Sequence, residues 1–383
     1  MSDAPVVIVG SGLAGYGVAR ELRKLDAGRE LVIISRDDAR AYSKPMLSNA
    51  LASGKTPAQL GSADAAAMAE QLRARILANT EVHAIEVDRR RVELNGGESL
   101  PYAKLVLALG ADPIALPLAG NAAHEVQRVN DLVSYSRFRE TIEGARRVVL
   151  LGAGLIGCEF ANDLATAGYA VDVVDLAPHP LGRMLPAPAA ERVREALARL
   201  GVRWHLGTTV AEVSRAAGDL QITLANGTTL HADTVLSAIG LRPRVDLARQ
   251  AGLAVNRGIV TDRYLATSAP DVYALGDCAE VDGHVLPYVA PIMHAARALA
   301  RTLAGTPTPV AYPPMPVSVK TPAMPVVVAP PAVPGGEWRL EPAADGLEAR
   351  FVDDAGALVG FALIGSATAK RQTLAKQLPP LLG

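Results

Sequence analysis

The stretch Val6-Val7-Ile8-Val9-Gly10-Ser11-Gly12-Leu13-Ala14-Gly15 decides the fold. Four apolar residues make a strand of the kind buried on both faces. The glycines that follow have the spacing G-x-G-x-x-G. Gly10 permits a tight turn, Gly12 lets the backbone approach a pyrophosphate, and Gly15 lets the next helix pack closely on the strand. That helix is expected near Ala14–Leu25, with its positive N-terminal end facing the phosphates. A second strand, Leu31-Val32-Ile33-Ile34, completes a βαβ unit. The glycine spacing alone is a weak signal and also describes a ligand-free turn. The flanking strand and helix make it specific.

A near-copy begins at Arg147, about 140 residues later. It runs through strand Val148–Leu151, the second fingerprint Gly152-Ala153-Gly154-Leu155-Ile156-Gly157, helix Leu155–Ala167 and strand Ala170–Val174. One nucleotide site suffices for a simple dehydrogenase, whereas two suggest a flavin and a nicotinamide with hydride passing between them. Each unit leads to an apolar run closed by glycine and a proline exit. These are Leu105–Gly110 with Ala111-Asp112-Pro113, and Val235–Gly240 with Leu241-Arg242-Pro243. Such turns suit chain crossings between domains. After Ala311 prolines crowd the chain (Pro313, Pro314, Pro316, Pro322, Pro325, Pro330, Pro331, Pro334). Short strands are expected at Val326–Ala329, Glu337–Leu340, Leu347–Val352 and Ala357–Ile364, and a closing helix at Ala367–Gln377. The fold class is α/β: two Rossmann-like dinucleotide-binding domains plus a small α+β C-terminal domain. The expected domains are 1–113 with 243–311, then 114–242, then 312–383.

Bulk properties agree. A chain of 383 residues is long for one hydrophobic core. Its 38 basic and 39 acidic residues give a net charge of −1, without the basic footprint of a nucleic-acid binder. No apolar run reaches the ~18 residues of a membrane span, and no signal peptide is evident at the N-terminus. Two cysteines, Cys158 and Cys278, form no C-x-x-C, so no metal site is expected. A cytoplasmic location follows as the plain reading.

The acid ending the second strand of each unit separates the two sites. Asp175 lies 23 residues past Gly152, where a carboxylate accepts hydrogen bonds from ribose hydroxyls; a turn or cap residue is the other reading. The next residues, Leu176-Ala177-Pro178-His179, offer no arginine for a 2′-phosphate, so NADH is expected over NADPH. The comparable position in the first unit is Ser35. There the acid is missing or displaced to Asp37, which reads equally as a solvated loop residue. A third signal is Thr267–Asp277, a strand ending in Gly276-Asp277 before a helix at Ile292–Leu303.

With these segments in order, nearly the whole chain resembles the two-dinucleotide flavoprotein reductases. That resemblance implies that Asp277 hydrogen-bonds the ribityl chain of FAD. FAD then belongs to Gly10, Gly12, Leu13, Ala14 and Gly15, with Ser35 and Gly110. NADH belongs to Gly152, Gly154, Leu155, Ile156, Gly157, Asp175 and Gly240. The redox cysteine pairs of several branches are absent. Cys158 and Cys278 read as packing thiols, so reduced flavin must deliver electrons directly. Tyr42-Ser43-Lys44-Pro45-Met46-Leu47-Ser48 resembles the ferredoxin-reductase-type branch, which includes rubredoxin and putidaredoxin reductases. In that branch the basic residue, Lys44, and Pro45 lie against the flavin, and Glu159 faces the ring.

A buried Glu159 needs a cation, and Lys44 is expected to supply it as its catalytic partner. A surface lysine and a solvated helical glutamate are the alternative. Phrases at Leu151–Asp163, Leu253–Val260, Tyr273–Val281 and Val317–Pro322 are most similar to the rubredoxin reductases. The likeness implies that Lys320 lies near the flavin, that Val82 contacts the adenine through its backbone, and that Val289 approaches the ring; core packing is the alternative for both valines. Pro287-Tyr288-Val289-Ala290-Pro291 stands where larger ferredoxin reductases of the branch often carry Trp-Ser-Asp-Gln.

The implied partner is rubredoxin, a small acidic iron protein, and the implied pathway is alkane degradation. Docking candidates are Arg297, Arg301, Lys370, Arg371 and Lys376, each readable as a scattered solvated charge. Rival readings are a [2Fe–2S] ferredoxin reductase, an NADH oxidase, and a redox-signalling flavoprotein of the apoptosis-inducing-factor-like branch. The Asp175 reading predicts a kcat/KM for NADH well above that for NADPH; steady-state comparison of the two nucleotides checks it.

Overall fold

The computed structural model describes residues 4–216, 218–331 and 335–383. Residues 1–3, Ala217 and 332–334, Pro334 among them, lie outside that description. Val6–Val9 is buried along its length and sits at the centre of a parallel sheet. The order across this sheet is Val272–Ala274, Lys104–Leu107, Val6–Val9, Leu31–Ile34 and Arg75–Leu77. Its strands are buried in one core with helix residues and with the antiparallel sheet Val82–Glu86, Arg91–Leu94 and Ser99–Pro101, which is why they are apolar on both sides. Helix α1 (Leu13–Leu25) starts directly from the glycine turn.

The second sheet repeats the plan: Gln127–Arg128, Thr234–Ser237, Arg147–Leu151, Ala170–Asp175 and Arg203–Leu206, all parallel. Helix α2 (Leu155–Thr166) follows its glycine turn and is buried continuously from Gly157 to Leu164. Helix α3 (Val289–Leu303) packs on α1, where a Cβ on Gly17 would lie 3.4 Å from Ala296.

The two proline exits do more than turn. Ala111–Pro113 and Leu241–Pro243 pair antiparallel, so both crossings form one two-stranded link. Arg244 clasps it: its guanidinium donates to Asp112 and to the Leu109 carbonyl, and its backbone N–H donates to Gly110 O. The guanidinium holds the Asp112 carboxyl below the usual carboxylate range.

The C-terminal stretch forms an antiparallel sheet in the order Val317–Val319, Val326–Ala329, Leu358–Ile364, Gly346–Val352, Glu337–Ala343. The expected helix over 367–377 is not continuous. A 3-10 turn at Gly365–Lys370 precedes a short helix at Arg371–Ala375. Tertiary bonds explain the break. Lys370 reaches back to Glu348, and Arg371 donates to the Pro316 carbonyl and Ser318. One hydrophobic core joins this sheet to the second: Val319, Val328 and Ile364 pack with Val148, Leu150 and Phe160, and with Leu47 and Ala50. Among the described residues no helix is long and apolar enough to cross a membrane, and no cluster of metal-ligating side chains occurs.

Phe138 is 1% exposed and meets Phe160 edge-on at 6.0 Å in this shared core. Phe138→Ala is expected to cost about 3–5 kcal/mol, visible as a lowered midpoint of thermal or urea unfolding.

Candidate functional site

The two fingerprints fold alike because their glycines meet the same backbone. A Cβ on Gly15 would lie 1.9 Å from Gly10 O, and one on Gly157 would lie 1.9 Å from Gly152 O. Gly10 and Gly152 have φ of +114° and +103°, and a side chain there would strike Ala108 O or Ala238 O. Gly12 and Gly154 differ: a Cβ at either meets nothing within 4 Å. Each is the N-cap of its helix, without a side-chain cap and without an acid in the first turn. The first-turn N–H groups, those of Leu13 and Ala14 in one unit and Leu155 and Ile156 in the other, therefore have no side-chain cap, and there is open space beside the glycine that precedes them. Unsatisfied amides at a helix N-terminus above a glycine floor fit a pyrophosphate.

The ends of the second strands tie back to these turns. The Asp175 carboxylate accepts from the N–H groups of Ala153 and Ala177. It thus orders the turn, as the turn reading has it, while standing beside the fingerprint. In the first unit Ser35 occupies the matching place. Ser11 Oγ and Ser35 Oγ lie 2.6 Å apart, and Ser35 Oγ donates to Asp37. The displaced acid is held in this small network, not solvated and alone. Ser35 also bonds through its backbone to Leu77 and Thr80, close to buried Val82. Gly110 and Gly240 both take left-handed backbone at the interdomain link, with φ of +73° and +120°.

Two charge pairs involve residues at or beside one short 3-10 helix. Lys44 opens a 3-10 helix, Lys44–Asn49, with Pro45 in its first turn. Its ammonium lies 4.0 Å from Asp277 Oδ2. Burial holds the Lys44 pKa below the ordinary lysine value, and Asp277 opposes that shift. The Glu159 carboxylate is 1% exposed. It accepts from Lys320 N at 2.8 Å, from Lys320 Nζ, and from Ser48 Oγ. The expected Lys44–Glu159 pair is therefore corrected: Glu159 pairs with Lys320, and Lys44 with Asp277. Lys320 wins because its backbone already lies against α2, so its amide and ammonium converge on one carboxylate. Lys44 emerges from the opposite end of its 3-10 helix, toward the Gly276–Cys278 turn. Val289 stands at the start of α3, 40% exposed, so core packing does not account for it.

Four further participants are not among the residues singled out from the sequence. Ser48 lies inside a motif noted for its neighbours. Arg244 follows the second proline exit. Asn162 accepts from Ala323 N, and Asp163 accepts from the N–H groups of Leu51 and Ala52. Glu159, Asn162 and Asp163 recur at helical i, i+3, i+4 spacing inside an otherwise apolar helix, a pattern that marks a polar seam. Cys158 and Cys278 are both buried and free. Burial pushes both thiols up, Cys278 to about 11, which removes them as redox thiolates. Of the docking cations, Lys370 and Arg371 are engaged within the C-terminal sheet, while Arg297, Arg301 and Lys376 are exposed.

Comparison with known proteins bears on this arrangement. Residues 4–301 match the model of the pyridine nucleotide-disulphide oxidoreductases, and residues 309–378 match a rubredoxin binding C-terminal domain. The chain is 51% identical to a rubredoxin-NAD(+) reductase of Acinetobacter baylyi, over 99% of this chain and 98% of that one. It is 49% identical to one from Alcanivorax borkumensis, over 99% of each. A ferredoxin reductase structure from Rhodopseudomonas palustris is similar with a TM-score of 0.89 at 26% identity, covering 98% of this chain and 96% of that one.

Removing one partner of a fully buried ion pair costs about 3–5 kcal/mol, an upper bound here because only Glu159 is buried and the Lys320 side chain is one third exposed. Lys320→Met should lower the thermal unfolding midpoint accordingly, and Glu159→Gln added to it should recover much of the loss; a double-mutant cycle of unfolding midpoints checks this.

Proposed function

The chain belongs to the pyridine nucleotide-disulphide oxidoreductases, and from that premise we propose that it is an NADH-dependent, FAD-containing reductase that passes electrons one at a time to rubredoxin. FAD, when bound, supplies the conversion of a two-electron hydride into single electrons that a nicotinamide cannot make. The observation that carries the reading is a pair of ion pairs, one beside each uncapped helix N-terminus: Glu159 with Lys320 and Ser48, and Lys44 with Asp277.

The Gly10–Gly15 turn, with Ser35, Val82, Gly110, Asp277 and Val289, would hold FAD. Lys44, Pro45, Glu159 and Lys320 would line its redox-active end. The Gly152–Gly157 turn, with Asp175 and Gly240, would hold NADH. Lys44 and Lys320 would place positive charge where an electron-rich ring accumulates negative charge, and Glu159 holds Lys320 in position. We take 1–113 with 243–311 as the FAD-binding domain, 114–242 as the NADH-binding domain and 312–383 as the partner-binding domain. Sheet membership supports this, since the first sheet recruits Val272–Ala274 from beyond the second.

Rubredoxin as acceptor is supported by the C-terminal match and by the two relatives of nearly equal length. Two inert buried thiols remove the cysteine relay used elsewhere in the family. A cytoplasmic location accords with free thiols and NADH supply.

The decisive experiment is anaerobic stopped-flow reduction by NADH, followed by mixing with rubredoxin, a [2Fe–2S] ferredoxin or oxygen. Rubredoxin should reoxidise the flavin fastest; faster reoxidation by either alternative overturns the assignment. Arg297, Arg301 and Lys376 imply electrostatic docking of an acidic partner, so turnover with rubredoxin should fall as ionic strength rises, read from initial rates in a salt series.

A further inference from the structure

We propose that Asp163 is a positioning residue for the electron-transfer site, setting the segment from Lys44 to Ala52 against α2 and through it placing Lys44 and Ser48. The inference rests on the reading of the site given above. It starts from a residue in the wrong place. Aspartate is a poor helix former in a helix interior, and burying a carboxylate is costly unless its oxygens are bonded. Asp163 is 4% exposed, in a helix buried on all sides.

Its hydrogen-bond partners are not cations. They are two consecutive backbone N–H groups, of Leu51 at 3.0 Å and Ala52 at 2.9 Å, each on a separate carboxylate oxygen. Burial pushes its pKa above the ordinary carboxylate range, and those two N–H groups oppose the shift. An ionised carboxylate offers an acceptor to each N–H at once, whereas an amide offers one acceptor and turns a donor toward the other. Asparagine, serine or an apolar residue would serve helix packing without the cost of a buried charge. The carboxylate therefore answers to the loop it holds.

That loop carries the site. One turn earlier on the same face of α2, Glu159 accepts from Ser48 Oγ. The segment is thus held at Ser48 and again at Leu51 and Ala52 by two acids spaced i, i+4. Between and behind these points Leu47 and Ala50 are fixed in the shared core. At the other end of the same 3-10 helix, just after the paired strand Ala41–Tyr42, stands Lys44, 4.0 Å from Asp277. Loss of the second anchor lets the helix slip along α2, and the displacement is delivered to Lys44. A misplacement of about 1 Å at a reacting site can cost on the order of a hundredfold in rate.

The test uses the FAD-loaded full chain. Asp163→Asn is mixed anaerobically with NADH in a stopped-flow instrument. The limiting rate of flavin bleaching, the apparent Kd for NADH and the flavin absorbance spectrum are recorded. The expected result is a fall in limiting rate of about tenfold or more, an altered flavin spectrum and an NADH Kd changed by less than about twofold. In a Lys44→Ala background the same substitution should cost less than about twofold, because the two act through one element.

If Asp163→Asn does not retain FAD, Asp163→Ser is read in its place, since it keeps an acceptor and brings no competing amide. A lowered unfolding midpoint with an unchanged limiting rate and spectrum overturns the proposal, as does full additivity with Lys44→Ala. Failure of the wild-type flavin to bleach with NADH would instead overturn the functional reading on which it rests. A wild type that bleaches while Asp163→Asn bleaches at the same rate overturns the Asp163 proposal alone.

Discussion

A carboxylate with 1% exposure is the constraint around which this molecule is assembled. Glu159 belongs to the second nucleotide-binding unit, yet its donors come from elsewhere. Ser48 Oγ is supplied by the first unit, and the amide and ammonium of Lys320 by the C-terminal sheet. A buried charge is tolerated only when its oxygens are paired and bonded. Three distant parts of the chain must therefore arrive together before α2 can be buried. Asn162 and Asp163 extend the same seam by one turn, to Ala323 and to Leu51 and Ala52. The seam places the end of each βαβ unit and the edge of the C-terminal sheet around a common point.

The apolar core follows the seam. Leu47 and Ala50, Phe160 and Leu164, and Val319 and Ile364 pack in one cluster although they are far apart in sequence. Burial of their apolar area supplies the non-directional driving force, and the carboxylates supply register, since each accepts only from particular atoms. The interdomain link works similarly, close to Lys44. Two short strands pair, and Arg244 closes them with bonds to Asp112 and Leu109. The second βαβ unit, tied at both places, keeps a fixed orientation to the first.

Much of this was legible in the linear chain. The glycine fingerprints, their strands and helices, the proline exits and the absence of a usable cysteine pair all depend on local rules. Such rules act over a few residues: turns that need glycine, strands that need apolar runs, helix ends that need caps. The strand Val326–Ala329 was readable for the same reason. The helix expected over 367–377 was not, because Lys370 and Arg371 answer to Glu348, Pro316 and Ser318 and not to their neighbours.

Two dinucleotide turns, Asp175 at the second and Ser35 with Asp37 at the first, and the lack of a thiol relay are all written in the linear chain. Which charge meets which is a property of the fold alone. A buried Glu159 needs a cation, but chemistry alone names no particular lysine. Lys44 lies 115 residues before Glu159 and Lys320 lies 161 after it. At such separations only packing sets distance, and packing brought Lys320 to Glu159 and left Lys44 with Asp277.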